Sequence, residues 1–266
     1  MLDHLFLDPR TLGLVQAAIA TLLALGVVLL ARRQRIHLER ETLVALVRGF
    51  VQIVVVGSVL LLLLQGPLWA SVIALLAMIL AAASIAARRA RGIPGAFWVS
   101  LLGISFGSGL VIVSMTWLGV IDSAVSSLIP VGSMLIANAM NTNGLALDRF
   151  RSEVQAHAGQ IEAGLALGAE PKQTVVPQVQ AAVEASLIPR IDSLRSLGIV
   201  WIPGLMAGMI LAGTDPVYAA IYQFVVIAMI FAASGLTSIV STLLIRSRVF
   251  SPAQQLILRP GINSGR

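Results

Sequence analysis

The side chains able to do chemistry are few, and most sit inside apolar sequence. In "SMLIANAMNTNGLALDRF" (133–150) three amides, Asn138, Asn141 and Asn143, interrupt a long hydrophobic run. At helical spacing Met134, Asn138 and Asn141 (i, i+4, i+7) share one narrow face, and Ser127 and Ser123 extend it backwards. Asn143 points elsewhere, close to the membrane boundary, where an amide costs little. Two readings of the stripe stand side by side. Asn and Ser hydrogen-bond neighbouring helices in lipid, and intramembrane polar residues also line hydrated substrate paths. Pro130 lies in the same run, frees a backbone carbonyl and provides for a bend. Met206 and Met209 join Met134 as further neutral, weak ligands for a path.

A G-x-S-x-G occurs as "GISFG" (103–107), which makes Ser105 the candidate nucleophile of an intramembrane hydrolase. Such a serine needs a base within hydrogen-bond reach. The histidines are His4, His37 and His157, and none falls within an apolar run. Small residues four apart are also a helix-packing device in membranes, as at Gly103/Gly107 and Gly204/Gly208, and packing is the favoured reading. No H-E-x-x-H or P-loop pattern is present, so nucleotide is not bound by that route. Cysteine is absent, which excludes thiolate metal sites and disulfides. Carboxylates and imidazoles deep in the apolar runs, the ligands favoured by a dehydrated, hard metal ion, are also lacking. Arg48 and Gln52 form an i, i+4 pair, with Arg48 either snorkelling to headgroups or meeting an anionic group. Asp215 and Asp122 are the candidate acceptors on the outer side.

These residues must be positioned by membrane-crossing helices. Of 266 residues, 58% are hydrophobic and 11% charged, with a mean hydropathy of +0.93. A soluble domain carries about 25% charged residues. The fold class expected is therefore an all-α integral membrane protein. Apolar runs of spanning length occur at 12–31, 42–64, 68–87, 96–118, 123–147, 197–213 and 217–245, about seven spans in one transmembrane domain over 1–266. With the N-terminus outside and the C-terminus inside, every Lys and Arg except Arg10 falls on the inner side, as the positive-inside rule requires. The net charge of +6 is thus topology information, not a nucleic-acid footprint. The N-terminus, "MLDHLFLDPR", is acidic before it is basic and lacks a small-residue cleavage site, so it reads as mature sequence.

One long segment, 148–196, is expected in the cytoplasm between spans five and six. Its first half reads as a helix to Leu167, stopped by Gly168 with Pro171 beyond. Its second half reads as another helix that closes near Pro189. The amphipathic stretch "IEAGLALGAEPKQ" (161–173) suits a membrane surface or a groove on a partner.

"EAGLALGAEPKQ" is similar to the coupling segment of ABC-transporter permeases: Glu162, Ala163 and Gly168 match, Gly164 replaces a second alanine, and the terminal Ile-x-Leu-Pro is displaced to "SLIP" (186–189). More closely, the chain resembles the FetB family of permeases, bacterial iron exporters related to plant aluminium-sensitivity proteins. "RGFVQ" (48–52), "IPVGSMLIANAMNTNGLAL" (129–147), "LGAEPKQ" (167–173), "SLIPRIDS" (186–193) and "IPGLMAGMILAGTDP" (202–216) carry that resemblance, with "NTN" (141–143) as a departure. It implies a permease in the bacterial inner membrane that pairs with a second copy of itself and with two copies of a separate ATPase. That partner would bind ATP and Mg; this chain would hold no cofactor. Coupling would pass through Glu162, Leu165, Gly168, Ala169, Pro171, Lys172 and Gln173. The cargo implied is a metal ion, iron, with an organic or nucleotide-sugar cargo as the alternative drawn from the plant relatives. Short external loops favour export.

Overall fold

The structure, a computed structural model, describes residues 9–35, 39–64, 66–90 and 92–258. His4, His37 and the reading of the first eight residues as mature sequence lie outside the described residues. Every element of regular structure among the described residues is helical, and the chain divides into two compact units, Met1–Gln65 and Gly66–Arg266.

The first unit holds α1 (Pro9–Arg33) and α2 (Glu39–Leu64), both long and apolar. Val28 is buried, while leucines and valines such as Leu22, Leu23 and Val47 lie exposed along the helices. Hydrocarbon is the solvent that such faces match. Arg48 and Gln52 share one face of α2, beside Val44 and Val51, along a shallow groove.

The second unit is built from α3 (Leu68–Ala87), α4 (Ala96–Trp117), α5 (Val125–Ala156), α6 (Ala158–Ala166), α7 (Pro171–Thr174), α8 (Val176–Ser196), α9 (Gly204–Leu211) and α10 (Pro216–Ile245). α10 packs on α4, α5 and α8, and α3 packs on α4 and α5. One apolar cluster, including Leu75, Ile104, Leu135, Ala139 and Val226, fills one half of the unit. A second, around Phe150, Val154, Ile161, Ala182 and Ile245, fills the other. The basic residues Arg89 and Arg248 lie beside Gly144 and Gly95, at the end of the unit filled by the second cluster. The turns bearing Asp122 and Asp215 lie at the opposite end of α5 and α10.

Among the described residues five helices are long and apolar enough to cross a membrane: Thr11–Arg33, Arg40–Val59, Leu68–Ala90, Ala96–Trp117 and Pro216–Ile245. The other two expected spans differ. α5 is long enough, but its amides, serines and charged inner turns dilute its hydropathy. The run 197–213 is not one helix. Its first part is a tight turn in which Gly198 takes φ +76°, and three successive backbone N–H groups, from Ile199, Val200 and Trp201, donate to the Ser196 carbonyl. Only α9 remains, about 12 Å long and too short to cross alone.

The segment 148–196 is also not wholly set apart from the bundle. α5 continues without a break to Ala156, and α8 runs back antiparallel along α5 and α10. Its Ser186 shares a hydrogen bond of 2.8 Å with Ser238 of α10. Nor does α8 close at Pro189: the proline sits inside the helix, which continues to Ser196. Packing against two neighbours holds α8 together where the missing N–H alone would have favoured a stop.

Candidate functional site

Where α8 returns beside α5, Arg190 donates through Nη1 to the Oδ1 of Asn138. Asn138 is held from the other side as well, its Nδ2 donating to the Met134 carbonyl at 2.7 Å. The amide is thereby oriented by its own helix so that its oxygen meets the guanidinium. Both residues line a cavity of about 320 Å³ with Met134, Ser193 and Trp201, closed on the α10 side by Ile227, Ile230 and Phe231. The Nε of Arg190 is buried and has no hydrogen-bond partner. Among the described residues no carboxylate pairs with Arg190; the ion pairs found join Arg149 and His157 to Glu153, and Arg195 to Asp192.

A second cavity, of about 380 Å³, lies further along the same helices towards the acidic turns. Ser127, Met209 and Asp122 line it with Tyr218 and Tyr222. Pro130 lies at its wall, within α5, where the helix continues past the freed carbonyl.

The expected stripe is thus distributed, not continuous. Met134 and Asn138 share one cavity, Ser127 and Met209 the other. Asn141 is exposed, away from both. Met206 lines neither; its backbone N–H donates to the Oε1 of the buried Gln223 at 3.3 Å. Asn143, expected at a cheap boundary position, is 0% exposed, and neither end of its amide has a partner. Its face of α5 points into the unit, among Ala139, Leu147 and Phe150.

Asp215 and Asp122 are occupied by their own backbone. Asp215 caps α10 by accepting from the N–H of Tyr218 at 2.9 Å, and Asp122 accepts from Ala124 at 3.1 Å. That is helix and turn chemistry. No cluster of three His, Cys, Asp or Glu able to hold a metal occurs among the described residues.

The G-x-S-x-G resolves in favour of packing. A Cβ on Gly103 would lie 1.9 Å from Ser241 Oγ, and one on Gly107 would lie 2.6 Å and 2.7 Å from the backbone of Thr237 and Ala233. The two glycines let α4 and α10 touch backbone to backbone. Ser105 hydrogen-bonds to no histidine or carboxylate among the described residues, and His157 stands at the end of α5, beside Glu153. Gly204 and Gly208 differ: a Cβ on either would meet nothing within 4 Å among the described residues.

The stretch from Glu162 to Gln173 forms as its residues dictate. α6 ends in a Schellman motif: Gly168 takes φ +88°, its N–H donates to the Leu165 carbonyl, and Ala169 donates to Gly164, each at 3.0 Å. Glu170 is followed by Pro171 at the first position of α7, where a missing N–H is harmless. Leu165 packs inward on the second cluster, while Glu162, Ala169, Lys172 and Gln173 are exposed and Leu167 is 90% exposed.

Residues 14–250 match the model of the uncharacterised protein family UPF0014. The chain belongs to that family. It is 34% identical over 246 residues to Protein ALUMINUM SENSITIVE 3 of Arabidopsis thaliana, covering 92% of this chain and 90% of the relative. It is 33% identical to UPF0014 membrane protein STAR2 of Oryza sativa subsp. japonica, over 92% of this chain and 86% of that one. To the Probable iron export permease protein FetB of Escherichia coli it is 31% identical, over 91% and 93%. No solved structure matches the chain. As a UPF0014 protein with several spanning helices, it is a membrane protein.

Arg190 is the residue that sequence reasoning missed. It had been assigned to the cytoplasmic segment, and its partner lies 52 residues away, so no local pattern links them. The available signal was the Pro189-Arg190 step inside a stretch that matches the family.

Proposed function

We propose that this UPF0014 protein is the membrane-spanning subunit of an ABC transporter in the bacterial inner membrane. It exports iron, the cargo that the name of its relative FetB suggests, using ATP hydrolysed with Mg by a separate ATPase. The observation that carries this reading is the capped, outward-facing stretch from Glu162 to Gln173. Leu167 is exposed there on a helix whose end is fixed by Gly168, and an apolar side chain on a rigid tip suits insertion into a groove. The stretch lies at the end of the unit where Arg89 and Arg248 also lie, the end that the positive-inside rule assigns to the cytoplasm.

Two copies of the chain serve one transporter. α8 bears Gln180, Glu184, Asp192 and Arg195 on its exposed side, although the helix packs at bundle depth. Charged groups there do not face hydrocarbon; they face water or the second copy. The path runs along α5, through the walls that carry Ser127, Met209, Met134 and Asn138.

The reading is tested by co-purifying the tagged chain from its native membrane and assaying ATP hydrolysis and iron export in vesicles. An ATPase that co-purifies at equal stoichiometry, and whose turnover drives iron out, is the expected result. A chain that purifies alone and moves iron without nucleotide overturns it.

A further inference from the structure

We propose that Arg190 and Asn138 form a recognition site for an anionic oxygen group, a carboxylate or a phosphate, so that any metal carried here crosses as an anionic complex and not as a bare cation. This rests on the permease reading only in placing the cavity on the path.

The argument starts from cost. A guanidinium at bundle depth is expensive and is usually either paired or functional. Arg190 has one neutral partner, Asn138, and no carboxylate among the described residues. A guanidinium has five N–H donors in a fixed fork, so most remain for a ligand, including the buried and unpartnered Nε. Asn138 fixes one edge of the fork, and the Met134 carbonyl fixes Asn138. This is a pre-oriented donor array, suited to bidentate contact with a planar carboxylate or a phosphate. The wall on the α10 side, formed by Ile227, Ile230 and Phe231, is apolar, so the half-buried charge acts more strongly than it would in bulk water. The same charge repels an unchelated divalent cation. Among the described residues no carboxylate pairs with Arg190 to offset that repulsion: Asp192 is exposed and its contact is with Arg195, at 3.7 Å. At about 320 Å³ the cavity admits a small polyanion or one anionic arm of a larger complex.

The test uses the full-length chain in phosphatidylcholine nanodiscs, titrated calorimetrically with citrate, ferric citrate, inorganic phosphate, citrate trimethyl ester and aqueous ferrous ion. Citrate and ferric citrate are expected to bind and the neutral ester to fail, a contrast that needs no variant. Arg190→Gln should weaken the anions about tenfold to a hundredfold, as loss of a charge-assisted contact does, and Arg190→Lys should recover part of the loss. Binding of phosphate alone, with the same dependence on Arg190, supports the site and makes its ligand a phosphate. Competition from added phosphatidylglycerol assigns that phosphate to a lipid headgroup. Equal binding of ester and acid, or binding of ferrous ion without any anion, overturns the proposal. If anions bind through Arg190 but no ATPase drives export, only the permease reading falls; if ATP-driven export runs unchanged in Arg190→Gln, only this inference does.

Discussion

α10 meets two polar seams, and they are built to opposite ends. Against α4, hydroxyls and glycines interlock so tightly that no Cβ fits at Gly103 or Gly107, and Thr237 and Ser241 are buried without hydrogen-bond partners. Against α5 and α8, an arginine and an asparagine face an open volume. Both seams look alike in composition, since both mix serine with apolar residues. The difference is charge and room. Small hydroxyls can be folded away in a dry contact, whereas a guanidinium holds water or ligand about it. Polarity within a membrane helix therefore does not by itself mark a path; polarity with space does.

The largest expected effect lies in the closed seam. Gly107→Leu should destabilise the protein by about 3 kcal/mol or more, read as loss of monodisperse material and a lowered melting temperature in detergent; near-normal melting would refute the tight contact. Next comes the open seam. Arg190→Gln should cut export at least tenfold while membrane abundance stays near normal, and an equal loss of abundance would make the residue structural. Asn138→Leu should act in the same direction but less strongly, because Arg190 keeps its charge and loses only its orienting partner. Gly168→Leu meets open space but a backbone conformation costing about 1–2 kcal/mol for a residue with a Cβ. It should lower the ratio of transport to ATP hydrolysed, and an unchanged ratio would count against docking through that tip. The smallest effect belongs to Ser105→Ala, within about 0.5 kcal/mol of wild type and with transport intact; abolished activity would revive the hydrolase reading.

Local chemistry was legible and long-range geometry was not. The stop at Gly168, with Pro171 beyond it, follows from residues within one turn and appears in the structure as expected; the short turn of helix that Pro171 itself opens was not read from the sequence. The glycine pair at 103 and 107 was legible for the same reason. The packing of α8 on α5 and α10 was not legible because hydropathy averages around the whole helix, and its exposed polar side outweighs the side that packs. Asn143 was misjudged because its place near the end of the apolar run says nothing of the helices that surround α5 on that side. The Arg190–Asn138 contact joins two helices through a return that passes α6 and α7, which no spacing rule encodes.

α5 is a single rod about 48 Å long, with the walls of both cavities along its N-terminal half and α6 starting after His157 at its C-terminal end. A rigid lever of that length magnifies: a rocking of about 5° at its base swings the far end through about 4 Å. A small tilt of this one helix is thus enough to change the width of both chambers, without any rearrangement of the fold.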